Sequence, residues 1–207
     1  MKKTIITLVA SLLATGFSVC GEEGDPANRA ELVLGGGLLF SSDYGEYIDD
    51  AYGSAGYSDA GGEGWLDLYI GVEIPVDDQI AVLLGCDALL NTVDAEGGPL
   101  NETYANLILA PSAYGQIYLT PKRTVYINGG LSLPLPTTSS DNFELENNGI
   151  GIGANVGVKL AEVFRIEAGY LYLPVTAKST SSNPVYLLGS QEDYNFGGFL
   201  MRALLSF

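Results

Sequence analysis

The stretch Trp65-Leu66-Asp67-Leu68-Tyr69-Ile70-Gly71-Val72-Glu73-Ile74 alternates without a fault. Leu66, Leu68, Ile70, Val72 and Ile74 form one set, and Trp65, Asp67, Tyr69, Gly71 and Glu73 form the other. Period two places each set on one face of an extended chain, whereas a helix would scatter both around its circumference. This segment is therefore a strand with one wholly apolar face.

Seven more segments carry the same alternation, and their apolar sets run the length of the chain. They are Leu32, Leu34, Leu38 and Phe40; Ile80, Val82, Leu84, Cys86 and Ala88; and Leu107, Leu109, Ala113, Ile117 and Leu119. Then come Val125, Ile127, Leu131 and Leu133, followed by Ile150, Ile152, Ala154, Val156, Val158 and Leu160. Phe164, Ile166, Ala168, Tyr170 and Tyr172 precede the closing set of Phe199, Met201, Ala203, Leu205 and Phe207. The connections at 75–79, 121–123 and 161–163 are short. Those around 43–62, 91–103, 136–147 and 175–192 are long and rich in Gly, Ser, Asn and Asp, hence loops. An even number of roughly ten-residue alternating strands, with short turns at one end and long loops at the other, predicts an all-β fold. The expected architecture is an eight-stranded antiparallel up-and-down transmembrane β-barrel over residues 30–207. Pro111 falls inside the fourth strand, where a missing N–H predicts a bulge or an unpaired upper part.

Lys2 and Lys3, then the apolar run Ile5 to Leu13 and the small residues after it, read as a secretory signal over residues 1–20. The apolar run is too short to span a bilayer, and Ser18-Val19-Cys20 offers the cleavage site. A cut after Gly16 and lipidation of Cys20 are the alternatives. Residues 21–29 are expected to be a flexible lead-in. Cleavage after Cys20 leaves Cys86 alone, so no intramolecular disulfide can form. It also moves the formal charge from −16 to −18, which excludes a nucleic-acid partner for want of a basic face. No later run of apolar residues is long enough for a transmembrane helix. Mean hydropathy is nevertheless positive, so strands must carry the apolar surface.

Periodicity does not say which face is inside, since a soluble barrel would bury the apolar set. The export signal, the asymmetric loops and the aromatics at strand ends favour an apolar exterior. Phe164 and Phe207 fall at one rim, and Phe40, Tyr172 and Phe199 at the other, as interfacial girdles do. With Phe199, Met201, Ala203, Leu205 and Phe207 ending the chain, the pattern resembles the OmpA-like and opacity-type eight-stranded outer-membrane barrels. Those five residues match that family's C-terminal assembly signal, although the glycine common within its last eight residues is missing. The resemblance implies outer-membrane lipid and the barrel-assembly machinery as partners and the bacterial outer membrane as location. No peptidoglycan-binding domain is expected after the barrel, so the resemblance does not carry over that role of the larger family members.

A barrel of eight strands is filled by side chains and leaves no wide channel. Trp65, Tyr69, Tyr114, Tyr118 and Tyr126 supply bulk, and Gly149, Gly151, Gly153 and Gly157 leave room. A turn centred at Lys122 sets Tyr118 opposite Tyr126 and Gln116 opposite Asn128. Six inward charges fall towards the short-turn end: Glu31, Glu73 and Glu167 against Lys159, Arg165 and Arg202. Equal numbers in a confined space are expected to pair as an ionic plug, because unpaired buried charge is costly. A symmetric 75–79 hairpin sets Ile74 opposite Ile80, Glu73 opposite Ala81 and Asp67 opposite Asp87. Opposed aspartates need a shared proton, a bound divalent cation or a hydrated mouth.

The chain has no histidine, so His-based triads and His-containing metal sites are absent, and no spacing points to other catalysis. No enzyme and no cofactor are expected. The long loops hold Asp43, Glu46, Asp49, Asp50, Asp59 and Glu63 among Tyr44, Tyr47, Tyr52 and Tyr57. Asp94, Glu96, Glu102, Asp141, Glu144, Glu146, Glu192 and Asp193 continue the acidic rim. Such loops suit an extracellular partner or divalent cations. The expected function is a structural or surface-interaction barrel. A narrow channel for small or apolar solutes is the rival reading, and a soluble ligand-binding barrel a weaker third.

Overall fold

The computed structural model describes residues 29–41, 43, 46–47, 64–95, 102–141, 143–161, 163–180 and 192–207. The proposed signal, including Cys20, and most of the first long loop lie outside the described residues.

Among the described residues twelve strands form: β1 (Glu31–Phe40), β2 (Gly64–Pro75), β3 (Ile80–Ala95), β4 (Glu102–Tyr118), β5 (Val125–Ser132) and β6 (Leu135–Thr138). They continue as β7 (Phe143–Asn147), β8 (Gly151–Lys159), β9 (Phe164–Tyr172), β10 (Pro174–Ser179), β11 (Glu192–Asn195) and β12 (Gly198–Ser206). Eight of them close a barrel in the order β1, β2, β3, β4, β5, β8, β9, β12 and back to β1, every pairing antiparallel. The eight-stranded antiparallel barrel expected from the alternation is the fold observed.

The remaining four strands correct the sequence reading of 136–147 and 175–192 as loops. β6 carries the β5 stave onward along β4, and β7, β10 and β11 make a three-stranded sheet beyond the barrel mouth. Each of these three abuts a barrel strand in the chain, β7 before β8, β10 after β9 and β11 before β12. Their inward residues Phe143, Leu145, Val175, Ala177 and Tyr194 are buried, so the extensions fold because they cover the mouth.

Pro111 makes no bulge. The β3–β4 register runs through Cys86↔Pro111 without a step. Pro111 O accepts from Leu133 N, and N–H and C=O of one strand residue point to the same neighbour. The missing donor therefore faces Leu133-Pro134, where β5 gives way to β6, and the ladder is already interrupted there.

Inside and outside are inverted relative to a soluble barrel. Leu38, Phe40, Leu66, Leu68, Ile117, Leu131, Ile152, Val156 and Met201 stand on the outer surface, each about half exposed. The five residues of the C-terminal signature all face outward. Phe40 lies opposite Phe199, and Phe199 opposite Tyr170, giving a cross-strand aromatic row near the long-loop end.

Candidate functional site: the barrel lumen

The lumen is filled from the short-turn end upward by charges, then tyrosines and amides, then apolar rings. Arg165, on β9, binds Glu73 of β2 through Nη1 and Glu31 of β1 through Nη2 at 2.7 Å. Its Nε donates to Ser206 Oγ at 3.1 Å, so the whole guanidinium fork is engaged. Lys159 Nζ reaches Glu31 at 3.4 Å. Glu73 also accepts from Tyr118 OH and lies 3.7 Å from Arg123 Nη2. Arg123 caps Tyr118 with its guanidinium 4.3 Å from the ring centroid. It takes part from the tight turn before β5, where its φ is 54°, a position sequence periodicity does not reach.

A second network sits above. Arg202, on β12, binds Asp87 Oδ1 and Glu167 Oε2, both at 2.7 Å, and stacks over Tyr69 at 4.3 Å. Glu167 accepts from Tyr126 OH at 2.7 Å and Asn128 Nδ2 at 3.2 Å, and Asn155 donates onward to Asn128 at 2.8 Å. The Tyr118 and Tyr126 rings meet edge to face at 5.7 Å and join the two networks. Their strands pair Tyr118↔Tyr126 and Gln116↔Asn128, the register expected from the turn. Gly157 makes room for this layer, since a Cβ there would lie 2.2 Å from the Tyr126 ring.

All six charges singled out from sequence thus stand in ion pairs, each carboxylate shared or forked. Two further members were not foreseen in that cluster, Arg123 and Asp87. The reading of Asp67 opposite Asp87 is corrected. Asp67 pairs with Leu89, Asp87 with Tyr69, and Ile74 with Val82. The cause is the turn. Asp77 Oδ1 accepts from both Gln79 N and Ile80 N at 2.7 Å, and Val76 N bonds Ile80 O, so the loop closes between Val76 and Ile80. That moves the register by two residues, which keeps every side chain on its expected face. Asp67 and Asp87 remain diagonal neighbours inside the lumen, both fully buried. Asp87 is held by Arg202. Neither oxygen of Asp67 has a hydrogen-bond partner among the described residues.

The upper lumen is apolar. Leu39, Trp65, Leu89, Ile108, Leu171 and Leu200 pack under Phe143, Leu145, Val175, Tyr194 and Phe196. Tyr47 joins them, with ring centroids 5.5 Å from Tyr194 and 5.3 Å from Phe196. It was read from sequence as a loop contact residue, but its ring is buried because it completes this aromatic cap. Outside the cap, Glu144, Glu146 and Glu192 stay exposed, with Lys178 bound to Glu146.

No family model matches the chain, and no curated protein does. Among solved structures it is similar to the outer membrane protein OprG from Pseudomonas aeruginosa. The TM-score is 0.53 at 15% identity, over 86% of this chain and 95% of that one. The two share a fold.

Proposed function

We propose that this chain is a bacterial outer-membrane barrel with a plugged lumen, serving a structural or surface-interaction role rather than bulk transport. The observation that carries it is the continuous filling of the lumen by two ionic networks and an aromatic cap. Moving Arg165 or Arg202 aside would strip buried carboxylates of their partners, at several kcal/mol each. An apolar exterior with an aromatic row supports the membrane location, as does a neighbour described as an outer membrane protein. The same reading takes residues 1–20 as an export signal and the chain as kin to the OmpA-like and opacity-type barrels. In it, assembly runs through the barrel-assembly machinery, and acidic residues such as Glu144 and Glu192 offer contacts to an extracellular partner. Reconstituted in planar bilayers, the protein is expected to pass little current. Large, stable openings would favour the channel reading instead.

A further inference from the structure

Seven basic side chains follow Lys3 in the chain, and all are described: Arg29, Lys122, Arg123, Lys159, Arg165, Lys178 and Arg202. Arg29 and Lys122 are exposed, and Lys178 serves Glu146 beyond the mouth. Four cations remain for the lumen, Arg123, Lys159, Arg165 and Arg202, and each is committed to Glu31, Glu73, Asp87 or Glu167. Asp67 is a fifth carboxylate. It is fully buried, forms no ion pair among the described residues, and both its oxygens are unpartnered there.

Its surroundings are equally incomplete. Asp87 Oδ2 and Tyr69 OH are buried without a partner among the described residues, as is Arg202 Nη2. Asp87 is the diagonal neighbour of Asp67 on β3, and Arg202 faces Glu167 across the β12–β9 ladder. Gly37 stands on the ladder between Asp67 and Arg202, paired with both, and has no side chain to separate them. The Tyr69 hydroxyl lies against Gly85, one inward position before Asp87 on β3.

We propose that Asp67 and the free oxygen of Asp87 hold one small hard cation in the middle of the lumen. Two carboxylates are oxygen donors of the kind such ions take, with water completing the shell. A shell water would accept from Arg202 Nη2 and so satisfy that donor. A proton shared by the two aspartates would serve one oxygen of each and leave the second Asp67 oxygen and Arg202 Nη2 bare. A single positive charge closes the count of five carboxylates against four cations, so sodium is the expected ion and calcium the other source of the same chemistry. The inference rests on a plugged lumen, which conductance tests separately.

The test refolds the full chain in detergent after chelation, with choline as the only added cation. Urea unfolding is then followed with sodium chloride or calcium chloride against choline chloride at equal ionic strength. The expected result is an unfolding constant about tenfold lower once the cation exceeds its dissociation constant about tenfold. Asp67→Asn should fold and lose that response, while Glu144→Gln should keep it. Should Asp67→Asn fail to fold, metal analysis of the folded parent decides, stoichiometric metal supporting the site and its absence overturning it. A protonated-carboxyl infrared band that disappears in Asp67→Asn would overturn the proposal, and so would a cation response unchanged by that substitution.

Discussion

Arg202 serves Asp87 and Glu167 at once, so its loss leaves two carboxylates buried without their charge partner. Arg202→Ala is expected to lower stability by about 3–5 kcal/mol, read as a shift in urea unfolding in detergent. Arg202→Lys should recover only part of this, because an ammonium cannot reproduce a planar fork between two carboxylates. At Asp77 the same scale explains a misreading. The sequence Pro75-Val76-Asp77-Asp78-Gln79 reads as a symmetric five-residue connection. Nothing in periodicity reveals that one carboxylate takes two backbone N–H groups and closes the loop at Ile80. Asp77→Ala should cost about 1 kcal/mol, since the two bonds are solvent-exposed. A loss of several kcal/mol in the same unfolding assay would show that the turn sets the barrel register alone.

Among the strands, large residues face small ones across the lumen. Gly157 of β8 lies opposite Tyr126 of β5, whose ring is fixed by its bond to Glu167. Gly157→Ala must displace that ring, and a cost of about 1–3 kcal/mol is expected. Gly129→Ala is the control: its Cβ would point outward and meet nothing nearer than 3.4 Å, so its unfolding midpoint should match the parent. The eight barrel strands were legible because each alternates over nearly its whole length. The mouth strands β7, β10 and β11 were not, because four to six residues are too few for a period to stand out. Their neighbours in the sequence, Ser139-Ser140-Asp141 and Asn148-Gly149 among them, carry the composition of a loop. Pro111 left two outcomes open, a bulge or an unpaired part of the strand, and the second applies, because its missing donor faces Leu133-Pro134, where the ladder is interrupted.

For the whole molecule, an apolar exterior around a charged interior belongs in lipid. After alkaline carbonate washing the mature protein is expected in the membrane pellet, and recovery mainly in the supernatant would remove the membrane assignment. The face assignment was legible in outline, because a register error of two residues leaves every side chain on its own side. The ionic partners were legible only as a group. Which acid meets which base depends on how far each strand slides past the next, and the turns decide that one side chain at a time.

The bonds of the plug join residues far apart in the chain. Arg165 meets Glu31 across 134 residues, and Arg202 meets Asp87 across 115. Both arginines arrive with the last hairpin to be synthesised, while three of the acids they serve lie on β1, β2 and β3. A growing sheet therefore carries bare carboxylates until β12 docks, and those charges keep the unfinished curl wet and open. Only the final strand dries it. Closure and completion become one event, so a chain stopped short of β12 should remain a soft, protease-sensitive sheet instead of a seven-stranded barrel.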